Sequence, residues 1–268
     1  MSPCERVSTL TVADLLTSGQ VALTGRVASA SNEVYQVLVS GPGGAAQGVR
    51  AVYKPAAGER PLWDFPGAIL ARHEVAAYRV SEALGWGLVP PTVWRDDLPA
   101  GPGVLQEWVD GEPSAEVAVL PPDQLTPGWL PVLRGEDERG REVLVAHRDT
   151  ERLADIAVFD ATINNSDRKA GHLLGSAEAT MGIDHGVAFH PEWKLRTVLW
   201  GFAGRPLSDR HVSGLRLFGQ GLAAGEIELD GLDSAARTAL ADRVRDLLDT
   251  GAFPRPRPGW PVVPWPLW

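Results

Sequence analysis

Only one cysteine, Cys4, occurs in the 268 residues, so no intramolecular disulfide and no cysteine-built metal site can form. No apolar run approaches the roughly 20 residues needed to span a bilayer. The start of the chain lacks the basic-then-apolar pattern of a secretory signal. These absences lead us to expect a soluble, cytoplasmic protein without a membrane span. Positive charge is also short: the formal net charge is −9. Bulk attraction to a phosphate backbone needs a concentrated cationic face, so nucleic acid is not an expected partner. Lysine stands at Lys54, Lys169 and Lys194 alone. There is no Gly-x-Gly-x-x-Gly, no Gly-x-x-x-x-Gly-Lys and no Gly-x-Ser-x-Gly, which excludes a P-loop, a glycine-rich kinase loop and a hydrolase elbow. His73, His147 and His190 do not fall at zinc-site spacing and read as structural.

What is present is ordinary globular usage, 44% hydrophobic and 22% charged, enough for one large domain or a two-lobed unit. Apolar periodicity predicts a short helix over 8–19, capped by Ser8 or Thr9. Strands follow at Gln20–Ala28, Glu33–Ser40 and 49–55, the last stopped by Pro55. Short connections make these an antiparallel meander. A helix is predicted at 70–84, ended by Gly85, and strands at Val89–Trp94 and Gly103–Val109. Pro, Gly and charge make Pro121–Arg141 a loop or insertion rather than core. Helices are expected at 150–164 and 233–249, with a strand and turn at Gly182–Ala188 between them. The Pro/Trp-rich tail 251–268 reads as a strap packed by Trp260, Trp265 and Trp268 or as a flexible end.

The chemistry concentrates in Asp167-Arg168-Lys169-Ala170-Gly171-His172 and Ile183-Asp184-His185-Gly186. Phosphoryl transfer needs a carboxylate at the attacking hydroxyl, a cation on the moving phosphate and a carboxylate on a divalent ion. Asp167 suits the first role and Lys169 the second. Asp184, a charge at the end of an apolar strand, is costly unless paired or metal-bound. Upstream, Lys54 closes a strand and Glu74 follows twenty residues later on the predicted helix, the order of a phosphate-binding lysine and its helix partner. Gly103–Gly111 would then be a hinge whose backbone at Glu107 and Val109 meets adenine. Ser29-Ala30-Ser31-Asn32 occupies the place of a phosphate-covering loop. The hydroxyls and N–H groups of Ser29 and Ser31 could replace glycines there, or the joint is a plain hairpin turn.

These motifs resemble the phosphatidylinositol 3-/4-kinase-related family, in a bacterial, actinobacterial branch. The likeness is carried by Val52-Tyr53-Lys54-Pro55, Glu74-Val75-Ala76-Ala77-Tyr78, Gly87-Leu88-Val89-Pro90, Asn165-Ser166-Asp167-Arg168 and Ile183-Asp184-His185-Gly186. More distantly the chain is similar to HipA-type kinases. The resemblance implies an α+β, two-lobed, protein-kinase-like fold: a small antiparallel-sheet N-lobe over 1–105, a hinge at 106–112, and a mostly helical C-lobe over 113–250 before the tail. It implies ATP with Mg²⁺, and the roles Lys54 on phosphates, Glu74 as its partner, Asp167 catalytic and Asp184 on metal. His172 stands where the family places an Asn as second metal ligand. Imidazole suits softer ions, which opens the door to Mn²⁺. The positive charge that closely follows Asp184 is Lys194, Arg196, Arg205 and Arg210, too little to grip an inositol headgroup, so the acceptor expected is a hydroxyl of a protein or small metabolite. A pseudokinase without turnover and an AMP-transferring enzyme are the alternatives.

Overall fold

The computed structural model describes residues 10–27, 32–41, 48–65, 67, 69–175, 179–259 and 261–268. The chain divides into two compact units, Met1–Leu62 with Pro91–Trp108 and Trp63–Pro90 with Val109–Trp268. No helix among the described residues is long and apolar enough to cross a membrane.

The first unit is a five-stranded antiparallel sheet covered by one short helix. Helix α1 (Val12–Ser18) starts at Thr11, whose hydroxyl accepts from the Asp14 N–H while Asp14 bonds back to the cap. That reciprocal box satisfies donors the first turn would otherwise leave open. The strands are β1 (Gln20–Arg26), β2 (Tyr35–Ser40), β3 (Val49–Pro55), β4 (Thr92–Arg95) and β5 (Gly103–Glu107), in the order β1-β2-β3-β5-β4. Alternation places Val37, Val39, Ala51, Tyr53 and Leu105 on one face, where Leu15 and Leu16 of α1 close the core. Lys54 takes the opposite parity on β3 and pairs with Val104 of β5. Meander and helix thus follow the sequence pattern, with shorter ends.

The second unit is organised by helices α2 (Leu70–Leu84), α3 (Glu151–Ile163), α4 (Asp209–Ala224) and α5 (Ser234–Thr250). The sequence reading groups α2 with the meander. In the structure it shares the second unit's core, because Ala76, Ala77, Val80 and Leu84 bury among Phe159, Leu215 and Phe218. Helix α3 is buried nearly all round, from Leu153 to Ile163, the signature of a central helix rather than a surface one. Helix α4 has no counterpart in the sequence reading: Gly214, Gly219 and Gly221 dilute its apolar stripe and lower its propensity.

Pro121–Arg141 corrects the loop expectation. Strand β8 (Trp129–Glu136) pairs along β9 (Glu142–Arg148), which also pairs with β7 (Val117–Leu120) in the order β7-β9-β8. Pro131 is tolerated because β8 is an edge strand and its register shifts between Pro131 and Leu133. A last small sheet joins β6 (Glu112–Pro113), β10 (Leu173–Gly175) and β11 (Thr180–Gly182) in the order β11-β10-β6. It delivers the two motif segments to one place, since β10 follows His172 and β11 precedes Ile183.

Candidate active site

Helix α3 ends at Asn164, which adopts the left-handed conformation at φ 56° and passes the chain into the Asp167 loop. The Asn164 side chain donates to the His190 and Glu192 carbonyls at 2.8 and 2.6 Å. Asn165 donates to Asp160 at 2.9 Å and accepts from the Asp167 N–H at 3.0 Å. Arg243 of α5 donates to the Thr162 carbonyl at 2.8 Å, a cation on the last turn of α3. Its burial brings that guanidinium down to about 10.

The centre of the loop is Arg168. It is fully buried and forms a fork with Asp160, Nε to Oδ2 and Nη2 to Oδ1, both at 2.9 Å. The same guanidinium donates through Nη1 to the His172 carbonyl at 3.1 Å and the Ile183 carbonyl at 3.2 Å. Nη2 also lies 2.6 Å from His185 Nε2. Because the guanidinium only donates, His185 accepts there and carries its proton on Nδ1. One side chain therefore ties α3, the Asp167 loop and the Asp184 turn together. Gly182 makes room for it: a Cβ there would sit 3.0 Å from Arg168 Nη2.

Around this staple four motif side chains converge. Lys169 Nζ lies 3.1 Å from Asp167 Oδ2. His172 Nδ1 is 2.9 Å from the Asp167 carbonyl, an oxygen that only accepts, so Nδ1 holds the proton and Nε2 presents a lone pair. That lone pair faces Asp184 Oδ2 at 3.3 Å. Two acceptors at this range repel unless a proton or a cation lies between them. Burial holds the His172 imidazole below its ordinary value, although the Asp184 charge pulls it upward, so the proton is disfavoured. The separation is close to the ~3 Å edge between neighbouring ligands of an octahedral ion with bonds of about 2.1 Å. Among the described residues no third His, Cys, Asp or Glu joins them, as suits an ion that completes its shell with phosphate oxygens and water. The donor set fits a divalent cation.

The turn itself is strained. Asp184 has φ 60° and Phe189 φ 65°, a region that a bulky residue enters only when its surroundings impose it. Phe189 is held there by donating its N–H to the Ile163 carbonyl at 2.7 Å. His73 of α2 approaches the Gly186 carbonyl at 3.0 Å through Nδ1. Its buried neighbour Glu74 belongs to the same place, since a Cβ on Gly186 would lie 3.8 Å from Glu74 Oε1.

The structure thus brings Asp167, Lys169, His172, Asp184 and Glu74 together in the second unit. Lys54 and Glu107 belong to the first unit, and Val109 opens the long segment of the second. Ser29 and Ser31 lie outside the described residues. Sequence reasoning quoted Arg168 and Asn165 within the motifs without giving them a role, and passed over Asp160 and the link from His73. The available signal was Asp160, a carboxylate inside the apolar helical run and seven residues before Asp167.

No family model matches the chain. The fold is similar to that of the hydra Fam20 structure with sugar, at 17% identity and a TM-score of 0.51, over 89% of this chain and 86% of that one. At the same TM-score of 0.51 it is similar to the Golgi casein kinase, alone and with Mn/ADP bound, at 13% identity over 88% of this chain and 73% of that one. These likenesses show a kinase-like α+β fold. In sequence the chain is 43% identical over 265 residues to Protein Rv2133c of Mycobacterium tuberculosis (strain ATCC 25618 / H37Rv), covering 94% of both chains. An identity of that depth over 94% of both chains makes this chain a member of the Protein Rv2133c family.

Proposed function

We propose that the protein is an atypical kinase-fold phosphotransferase that moves the γ-phosphoryl group of ATP to a hydroxyl of a protein or small molecule. The observation that carries this is the pair formed by His172 Nε2 and Asp184 Oδ2 at 3.3 Å, with the imidazole locked by the Asp167 carbonyl. A divalent ion held there would neutralise phosphate charge. The Golgi casein kinase solved with Mn/ADP supports the same ligand class for this fold, and an imidazole ligand favours Mn²⁺ over Mg²⁺.

Asp167 takes the proton of the acceptor hydroxyl as its oxygen bonds to the γ-phosphorus and the bond to the ADP oxygen breaks. Lys169, beside Asp167, balances charge on the moving group. The roles proposed for Lys54 on the outer phosphates, for Glu74 in its support and for the backbone at Glu107 and Val109 at adenine are those the motifs imply. The motif resemblance to phosphatidylinositol 3-/4-kinases supports these roles. A lipid acceptor is disfavoured because the segment that directly follows Asp184 carries only Lys194, Arg196, Arg205 and Arg210 as cations before the middle of α4.

Calorimetric titration of ATP with Mn²⁺, with Mg²⁺ and with neither tests the reading. Metal-dependent binding lost in Asp184→Ala is the expected result, and His172→Asn should move the preference toward Mg²⁺. Binding untouched by Asp184→Ala would overturn the site. Binding without transfer identifies a pseudokinase, and the mass added to the product separates phosphoryl from adenylyl transfer.

A further inference from the structure

The loop bearing Asp167, Lys169 and His172 is held on one side by Arg168. Its other side is held by residues the proposed chemistry does not use. The Arg168 N–H donates to the Arg196 carbonyl at 3.1 Å, and the Val198 N–H donates back to the Arg168 carbonyl at 3.2 Å. This is a parallel bridge between Arg168 and Thr197. Thr197 in turn donates its N–H to the Val262 carbonyl at 3.1 Å. That carbonyl also accepts the Trp200 indole N–H at 2.6 Å. Five residues further on, the strap returns: the Leu267 carbonyl accepts the Ala170 N–H at 2.8 Å. Trp268 backbone atoms lie 3.8 and 3.9 Å from where a Gly171 Cβ would stand. Loop, segment 196–198 and strap form a closed hydrogen-bonded circuit.

We infer that the proline-rich strap Val262–Trp268 is a positioning element of the catalytic loop, resting on the phosphotransferase reading above. Its physical basis is entropic. A chain containing Pro261, Pro264 and Pro266 has few unfolded conformations to lose, so it supplies a stiff backbone acceptor at small ordering cost. Val262, Val263 and Leu267 anchor it on the second unit's core, in place of the expected tryptophans: Trp265 and Trp268 are exposed and Trp260 lies outside the described residues. Ala170 and Gly171, which the strap grips, lie between Lys169 and His172. Releasing them frees the His172 ring from its register with Asp184. The strap touches loop backbone, not reacting atoms, so its role is to hold His172 and Lys169 in place.

The test compares the full chain with one ending at Pro264, by amide hydrogen exchange and by Mn²⁺ titration without nucleotide. We expect the Ala170 amide to lose protection while the α3 amides keep theirs, and Mn²⁺ affinity to fall by ~10–100-fold, as when a supporting contact of a metal ligand is removed. A synthetic peptide of residues 261–268 added in trans should restore both. If the shortened chain does not fold, Leu267→Ala supplies a milder release with the same readouts. Unchanged Ala170 protection in the folded variants would overturn the inference. The two readings fail separately: a full chain that binds no Mn²⁺ or ATP sinks the phosphotransferase, whereas exchange at Ala170 judges the strap alone.

Discussion

Two arginine–carboxylate pairs in the second unit have the same chemistry and opposite consequences. Arg168 and Asp160 are both 0% exposed, and the guanidinium reaches two carbonyls and an imidazole besides its carboxylate. Arg134 and Glu142, on the β8–β9 hairpin, are 72% and 46% exposed. In water the second pair gains little, because solvent and salt screen the attraction and long side chains must be ordered. Away from water the first pair is a constraint more than a source of stability. Removing two charges from solvent costs several kcal/mol, so the arrangement persists only when every donor is used. What that constraint holds is the backbone of the Asp167 loop against the Asp184 turn.

The sharpest way to break the comparison is Arg168→Met, which leaves the Asp160 carboxylate buried without its cation, held by the Asn165 amide. It should cost about 3–5 kcal/mol in urea unfolding, and Arg168→Met with Asp160→Leu should recover much of that stability. The double variant should still fail to bind Mn·ATP, because the carbonyls of His172 and Ile183 have lost their common donor. Binding retained in the double variant would show that the fork serves stability alone.

A smaller effect should come from a buried polar group without a charge. His147 is fully buried; its Nδ1 meets the Arg148 carbonyl at 2.8 Å and its Nε2 accepts the Gly201 N–H at 3.1 Å. Burial holds its pKa below the ordinary imidazole value of 6.5. The unfolded chain therefore binds the proton first, so stability is complete above 6.5 and falls as pH drops below it. His73 and His172 are shifted the same way, again chiefly by burial. Unfolding midpoints measured from neutral to acidic pH should show this slope, and His147→Gln should flatten part of it. At the small end, Glu142→Ala should change stability by less than about 1 kcal/mol, with the difference vanishing at high salt.

Legibility in the sequence followed the range of the forces involved. Helices α2, α3 and α5 were readable because apolar period, caps and glycine stops act within a few residues. Strand β8 was hidden, because Pro131 and Gly135 look like breakers until an edge position and a bulge accommodate them. Helix α4 was hidden by its glycines. Of the candidate site, Asp167, Lys169, His172, Asp184 and Glu74 stood out as chemistry-bearing residue types in order. Arg168 beside Asp167 did not, since burial of a charge is invisible in one dimension.

The sequence by itself determined which side chains are available: two motif carboxylates, three lysines and an imidazole where an amide is expected. It also determined the local elements, because propensity and periodicity are properties of neighbouring residues. Only the tertiary structure decided that His172 faces Asp184, that Arg168 joins two loops fifteen residues apart, and that the segment Val262–Trp268 is hydrogen-bonded along the Asp167 loop. Those outcomes depend on donors and acceptors finding partners far along the chain once water is excluded, and packing, rather than spacing, selects the partner.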